Sequence, residues 1–245
     1  MSVDVTDLRT FYDSPLGAVA CRLVGRVLGQ TWSNMRGLRL LGLGFATPYL
    51  PALAPGCERV VAFMPAAQGV LHWPLGQPSA SALADLQMMP LPDGAVDRVL
   101  VVHALETVEN PAELLHEICR VLSPSGRVIL VCPNRRGLWA RMDTTPFGQG
   151  QPFSRKQLRR LLRDTSLAPE RWAEALYVPP LASRFVLQGA GMWERCGGKL
   201  SLPFAGLHVV EAARQLHRPV LVREPRRHLR PRPVFGPVPA SRDAL

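Results

Sequence analysis

Lysine is almost missing from this sequence. Lys156 and Lys199 are two of 29 basic residues in a chain of 245, so nearly all of its positive charge is arginine. Cysteine is sparse too: Cys21, Cys57, Cys119, Cys132 and Cys196 are scattered, with no Cys-x-x-Cys pair and no Cys/His cluster at metal-ligand spacing. This argues against a structural zinc site or a disulfide framework and predicts reduced, mostly buried thiols with no metal. No apolar run approaches the ~20 residues that a membrane-spanning helix needs. The opening Met-Ser-Val-Asp-Val-Thr-Asp-Leu lacks a basic stretch followed by an apolar one, so no leader is read there. A soluble, cytoplasmic protein with no membrane partner is expected. Internal repeats are also lacking.

What is present suits one sizeable α/β domain with appendages, at 47% hydrophobic composition. The net charge of +10 is unevenly spread. Residues 1–134 carry nine basic and eleven acidic groups, and residues 164–213 four and five. Residues 135–163 carry eight basic groups and one acid, and 214–245 eight and two. Such single-signed segments concentrate anions, among them nucleic acid, phosphorylated substrates and acidic proteins.

Ser14-Pro15, followed by apolar residues at 16, 19, 20, 23, 24, 27 and 28, has the spacing of one helical face with a cap and a proline at its first position. Short apolar runs at Leu38–Leu43 and Arg59–Met64 read as strands, with a glycine turn and room for only a short helix between them. Asp93-Gly94 marks a turn before Val96–Val102, a strand apolar on both faces. Asn110-Pro111 starts a helix that Ser123-Pro124-Ser125-Gly126 ends, and Arg127–Cys132 is another fully apolar strand. Ser154 is read as the cap of a basic helix over Arg155–Arg163. Trp172–Val178 and Gly206–Val210 are read as late strands, the second followed by Glu211–Leu216. Strands alternating with helices predict a parallel sheet covered on both faces. The boundaries are set at 1–35 for an N-terminal helical segment, 36–222 for the α/β domain and 223–245 for an extended Pro/Arg-rich tail.

The densest local pattern is Asp85-Leu-Gln-Met-Met-Pro-Leu-Pro-Asp-Gly-Ala-Val-Asp-Arg-Val-Leu100, then Leu105-Glu106, then Leu114-Leu-His-Glu-Ile-Cys-Arg-Val-Leu-Ser-Pro-Ser-Gly126. It resembles the class I S-adenosylmethionine-dependent methyltransferases, in the branch called methyltransferase type 11. The register holds without a gap from Asp85 to Gly126, and the flanking elements extend the similarity over roughly residues 36–215. The resemblance implies a Rossmann-like fold with a mostly parallel seven-stranded sheet and helices on both faces. It implies S-adenosylmethionine as cofactor, lying across the carboxyl ends of the strands at the switch point of the sheet.

Under that resemblance Gly42 and Gly44 form the loop that lets the cofactor approach. Asp85 accepts from the adenine amino group, Leu86 packs against the ring, and His103 stands at the end of the fourth strand beneath sulfonium and acceptor. Asp97 and Arg120 match positions that tie elements together. The departures are Leu40, where the family has an acid, Ala46, where a third glycine would fall, and Met64, where a second acid takes the ribose hydroxyls. Losing a charged hydrogen bond to a hydroxyl costs about 1.5–3 kcal/mol, a ten- to hundredfold drop in affinity.

No Asn-Pro-Pro-Tyr motif and no recognisable catalytic cysteine occurs, so the catalytic residue is left unassigned. Two functions follow: methyl transfer to an unidentified acceptor, or a non-catalytic methyltransferase-fold module that binds RNA or an acidic protein. Arg135, Arg136, Arg141, Arg159 and Arg160 are the candidates for contact with RNA or another anion. The residues Trp139, Phe147 and Phe153 among them read either as stacking platforms or as a packed lid. Some relatives in this branch need a small activating subunit, which adds such a protein to the expected partners.

Overall fold

A computed structural model describes residues 4–199 and 204–215. The tail proposed for residues 223–245 lies outside the described residues. The strands are β1 (Arg39–Gly44), β2 (Arg59–Met64), β3 (Ser81–Leu83), β4 (Val96–Val102), β5 (Leu122–Pro133), β6 (Leu167–Ala175) and β7 (Leu207–Arg214). They form one sheet in the order β3-β2-β1-β4-β5-β7-β6. The first five pair in parallel, while β7 runs antiparallel to both β5 and β6. The order reverses between β1 and β4, and the crevice of such a sheet opens at the carboxyl ends of those two strands.

The helices are α1 (Val5–Asp13), α2 (Pro15–Thr31), α3 (Leu50–Leu53), α4 (Pro111–Val121), α5 (Arg155–Asp164), α6 (Arg184–Gln188) and α7 (Ala190–Lys199). α2, α4 and α5 each start where a side chain satisfies free amides. The Ser14 hydroxyl accepts from the Gly17 amide at 3.1 Å, and the Asn110 carbonyl oxygen accepts from Ala112 and Glu113. Ser154 and Gln157 form a reciprocal capping box at the head of α5.

One face of the sheet is covered by α2, whose Leu23, Val24 and Leu28 pack with Leu40, Leu100, Ile129 and Val209. The other is covered by α4 and α5, where Leu114, Ile118, Leu158 and Leu162 pack with Leu41, Val99, Leu130 and Val210. Burying each such side chain is worth about 1.5–3 kcal/mol, which makes the sheet a rigid base for its loops. Asp97 ties β4 to β1 through Arg39 at 3.0 Å. Arg120 ties the end of α4 to Glu117 at 2.6 Å, to Asp93 at 2.7 Å and to the carbonyls of Met89 and Leu91. Both residues are architectural. Among the described residues no helix is long and apolar enough to cross a membrane.

The structure departs from the sequence reading in several places, and β3, α6 and α7 are additional elements which that reading does not contain. α1 went unread because only Val5 and Leu8 of its nine residues are buried, too short a stripe to show a period. β5 begins at Leu122, so Ser123–Gly126 ends the helix as expected yet lies inside a strand with an irregular register. β6 starts five residues before Trp172, and β7 continues through Glu211–Arg214. In that last segment the pairing of β7 with both neighbours decides the conformation, not a helical pattern.

Candidate active site

At the end of β1 the chain must turn sharply beneath β4. Gly44 takes φ +71°, and a Cβ there would run into the carbonyl oxygen of Val102 and lie 2.8 Å from the Ala104 Cβ. A Cβ on Gly42 would lie 2.9 Å from the Ala46 Cβ and 3.0 Å from Leu50. The need for glycine at both positions thus arises from the protein's own packing: Gly42 lets the segment leading into α3 close on β1, and Gly44 lets β1 pass β4. His103, at the end of β4, also takes a left-handed φ of 51°, a conformation that costs a non-glycine residue energy and is held by its surroundings.

Those surroundings are polar and buried. The His103 Nε2 and the Tyr12 hydroxyl lie 3.0 Å apart, and the Tyr12 and Tyr49 hydroxyls 3.0 Å apart. On the other side His103 Nδ1 is 3.4 Å from Glu106 Oε1, with both side chains 1% exposed. The Phe147 ring lies against His103 at 4.6 Å between centroids. Burial pushes the Tyr12 phenol well above its ordinary value, with the neighbouring Tyr49 adding to the effect. The Cys132 thiol is likewise pushed up by burial. Both oxygens of the Glu106 carboxyl lack a hydrogen-bond donor, as does Oε1 of buried Gln68. Gln68 donates through Nε2 to the His103 carbonyl at 3.2 Å. Buried acceptors without donors are costly unless something else satisfies them.

Over this network lies α1. Its Val5 and Leu8 pack with Phe45 and Met64 in a small apolar cluster, and the Val5 amide donates to the Gln68 carbonyl at 2.7 Å. Met64 and Leu8 are fully buried. Beside the cluster, a cavity of about 380 Å³ opens between Pro65–Gln68, Ala84–Gln87 and Thr107–Glu109. Asp85 stands exposed at its rim with Oδ1 accepting from the Gln87 amide at 2.9 Å, and Leu86 is buried in its wall.

The six residues read from the sequence therefore gather at the carboxyl ends of β1, β2, β3 and β4, but in two groups. Asp85 and Leu86 line the open cavity, whereas Met64 and His103 are buried beneath α1 and Gly42 and Gly44 are packed within the strand turn. The sequence reading missed Tyr12, Tyr49, Gln68 and the role of Glu106. Only Glu106 lay in a motif that could have marked it. In the loop after β5, Trp139 and Phe147 are 1% exposed and Phe153 is 8% exposed, which makes them the inside of a packed lid and not stacking platforms. Arg159 lies over the Trp172 ring at 5.8 Å, and Arg160 pairs loosely with Asp164 at 3.7 Å.

Residues 41–130 match the family model described as a methyltransferase domain, a span that runs from the glycine turn to the middle of β5. A search of curated protein sequences finds no match. Among solved structures, the chain is similar to an S-adenosylmethionine-dependent methyltransferase of Thermotoga maritima, at 15% identity and a TM-score of 0.58, over 86% of this chain and 96% of that one. It is similar to the geranyl diphosphate C-methyltransferase of Streptomyces coelicolor, solved with S-adenosylhomocysteine, at 16% identity and a TM-score of 0.54, over 78% and 75%. A third is the complex of the Haloferax volcanii Trm112 methyltransferase activator with a candidate methyltransferase, at 16% identity and a TM-score of 0.53, over 78% and 94%. Residues 41–130 thus carry the pattern of a methyltransferase domain, and the fold of the chain is that of the class I S-adenosylmethionine-dependent methyltransferases.

Proposed function

We propose that the chain is an S-adenosylmethionine-dependent methyltransferase working from a cleft that α1 caps. The nucleoside end of the cofactor fits the cleft as it stands. The cavity beside Asp85 offers an apolar wall in Leu86 and a carboxylate acceptor for an adenine amino group. The ribose and methionine end fits only when α1 moves, because Leu8, Phe45 and Met64 close that ground. The cofactor supplies an electrophilic methyl group carried on a sulfonium. The chain supplies acceptors for the polar end of the ligand in Glu106 and Gln68, with the Tyr12–His103 hydrogen bond beside them. The observation that carries this reading is the buried oxygens of Glu106 and of cavity-lining Gln68 left without donors.

The acceptor is proposed to be RNA or another anionic molecule, drawn by the +7 segment that holds Arg135, Arg136, Arg141, Arg159 and Arg160. The Trm112 complex supports a small activating subunit as a further partner. Leu181, Phe185, Met192 and Trp193 around α6 and α7 are exposed and give it an apolar surface to cover. If so, co-expression with such a subunit raises soluble yield.

The second reading, a non-catalytic binding module, is favoured by the absence of an acid at Met64 and by its burial under α1. Calorimetric titration with S-adenosylhomocysteine separates the two. Binding that weakens ten- to hundredfold in Asp85→Ala, the range expected for one charge-assisted hydrogen bond, supports the cofactor site. Silence to millimolar ligand in both wild type and an α1-deleted chain leaves the binding module.

A further inference from the structure

A second cavity, of about 430 Å³, lies at the carboxyl edge of the sheet on the far side of β5 from the cofactor cleft, between the start of α5 and the facing ends of β6 and β7. Three cations surround it: Arg136 after β5, and Arg155 and Lys156 in the first turn of α5. Arg155 is held in place by stacking over the Trp172 ring, its guanidinium carbon 4.9 Å from the centroid. The capping box occupies the amides of Ser154 and Gln157. The Arg155 and Lys156 amides are left at the open end of a ten-residue helix, where the dipole favours an anion.

A helix end with cations is common on surfaces. The floor of this cavity is what distinguishes it. His208 lines it with a side chain 5% exposed, and its Nδ1 has no hydrogen-bond partner. The nearest carboxylate oxygen, Glu174 Oε1, is 3.6 Å away, beyond hydrogen-bonding length. Burial holds the imidazole below its ordinary value against the pull of Glu174. Glu174 Oε2 already accepts from the Tyr177 hydroxyl at 2.9 Å, which fixes the carboxylate. A bare anion would meet Glu174 as a repelling neighbour. An anion bearing a hydroxyl would not, because the hydroxyl can donate to Glu174 and bond His208 Nδ1 while the charge faces the arginines.

We propose that this cavity binds a ribose phosphate group, with its phosphate between Arg136, Lys156 and the α5 amides and its 2-hydroxyl on Glu174 and His208. The site stands apart from the cofactor cleft and does not depend on methyl transfer. Its ligand is either a nucleotide of an RNA strand or a free sugar phosphate, since both present the same chemistry.

The test is titration of the full chain with ribose 5-phosphate, its 2-deoxy analogue, and matched single-stranded RNA and DNA ten-mers, with the His208 imidazole followed by NMR. Expected is binding of a ribose ligand with a shift of the His208 resonance. Arg136→Ala and Lys156→Ala should each weaken it at least about tenfold, as loss of a charged contact would. Arg22→Ala, exposed on α2 and outside the cavity, should change it less than about threefold. With RNA, Lys156→Ala should also reduce the salt slope by about one. Binding of the RNA alone assigns a strand as the ligand, and binding of ribose 5-phosphate alone assigns a free sugar phosphate. No binding of any ribose ligand at millimolar concentration overturns the site. So does an equal loss in Arg22→Ala and Arg136→Ala, which would be the mark of general charge. Equal affinity for ribose and deoxyribose ligands overturns the hydroxyl contact on Glu174.

Discussion

Leu8→Ala in α1 tests the cap most directly. Leu8 is fully buried against Phe45 and Met64, and Val5 is the only other buried residue of the helix. A nine-residue helix is marginal by itself, so these contacts, the Val5–Gln68 hydrogen bond and Tyr12 hold it down. Truncating a buried leucine to alanine costs about 2–5 kcal/mol, and the low end applies to a peripheral element that can relax. A loss of about 2–3 kcal/mol in docking raises the undocked fraction about 30- to 150-fold, until the cap is mostly open. If α1 competes with the methionine end of the cofactor, affinity for S-adenosylhomocysteine rises by up to the same factor. The melting temperature should move little, because the change is local to one terminal helix. Calorimetry reads the affinity, and hydrogen exchange over residues 5–13 confirms the release of α1. Faster exchange with unchanged or weaker binding would refute the reasoning, since α1 would then be part of the binding surface and no competitor.

Gly44→Ala should destabilise the protein without any ligand present. Its left-handed φ and the clash with the Val102 carbonyl predict a loss of more than about 2 kcal/mol, read as a lowered melting temperature. An apo stability equal to wild type would instead mean that the glycine serves only the ligand. Asp97→Asn probes the β1–β4 tie. The Arg39 guanidinium holds the Asp97 carboxyl down at about 2, below its unfolded value of about 3.9. Its contribution is therefore fully present above about pH 4 and is lost as pH falls through about 2. After allowing for the 36% exposure of Arg39, the substitution should cost about 1–2 kcal/mol at neutral pH. Chemical denaturation should show the gap to wild type closing between pH 4 and 2, and a gap independent of pH would refute the assignment.

The sheet was legible because its strands and helices carry strong local signals. β2 and β4 fall where their apolar runs end, and Ser14, Asn110 and Ser154 cap the helices they precede. The antiparallel β7 was harder. Its second half, Glu211–Arg214, takes its conformation from strands more than 30 residues distant in sequence. The site divides in the same way. Asp85 could be found because a local motif carries it, while Tyr12 and Gln68 reach His103 only through tertiary packing, and no spacing in the sequence announces that meeting. Gly42 and Gly44 were visible as glycines, but only the packing around them shows that the protein itself requires them.

The reach of the Tyr12–His103 contact bears on when the cleft closes. Its two residues are 91 positions apart, whereas α1 is complete once the first turns of the chain exist. Long closures of this kind bring their return only after the intervening sheet is in place, so the ends of β1, β2 and β4 are assembled before α1 can settle on them. During synthesis or refolding the cleft thus passes through an open stage in which a small molecule can enter first and the helix can shut over it. In the finished protein the order is reversed, and α1 must leave before the same ground is free.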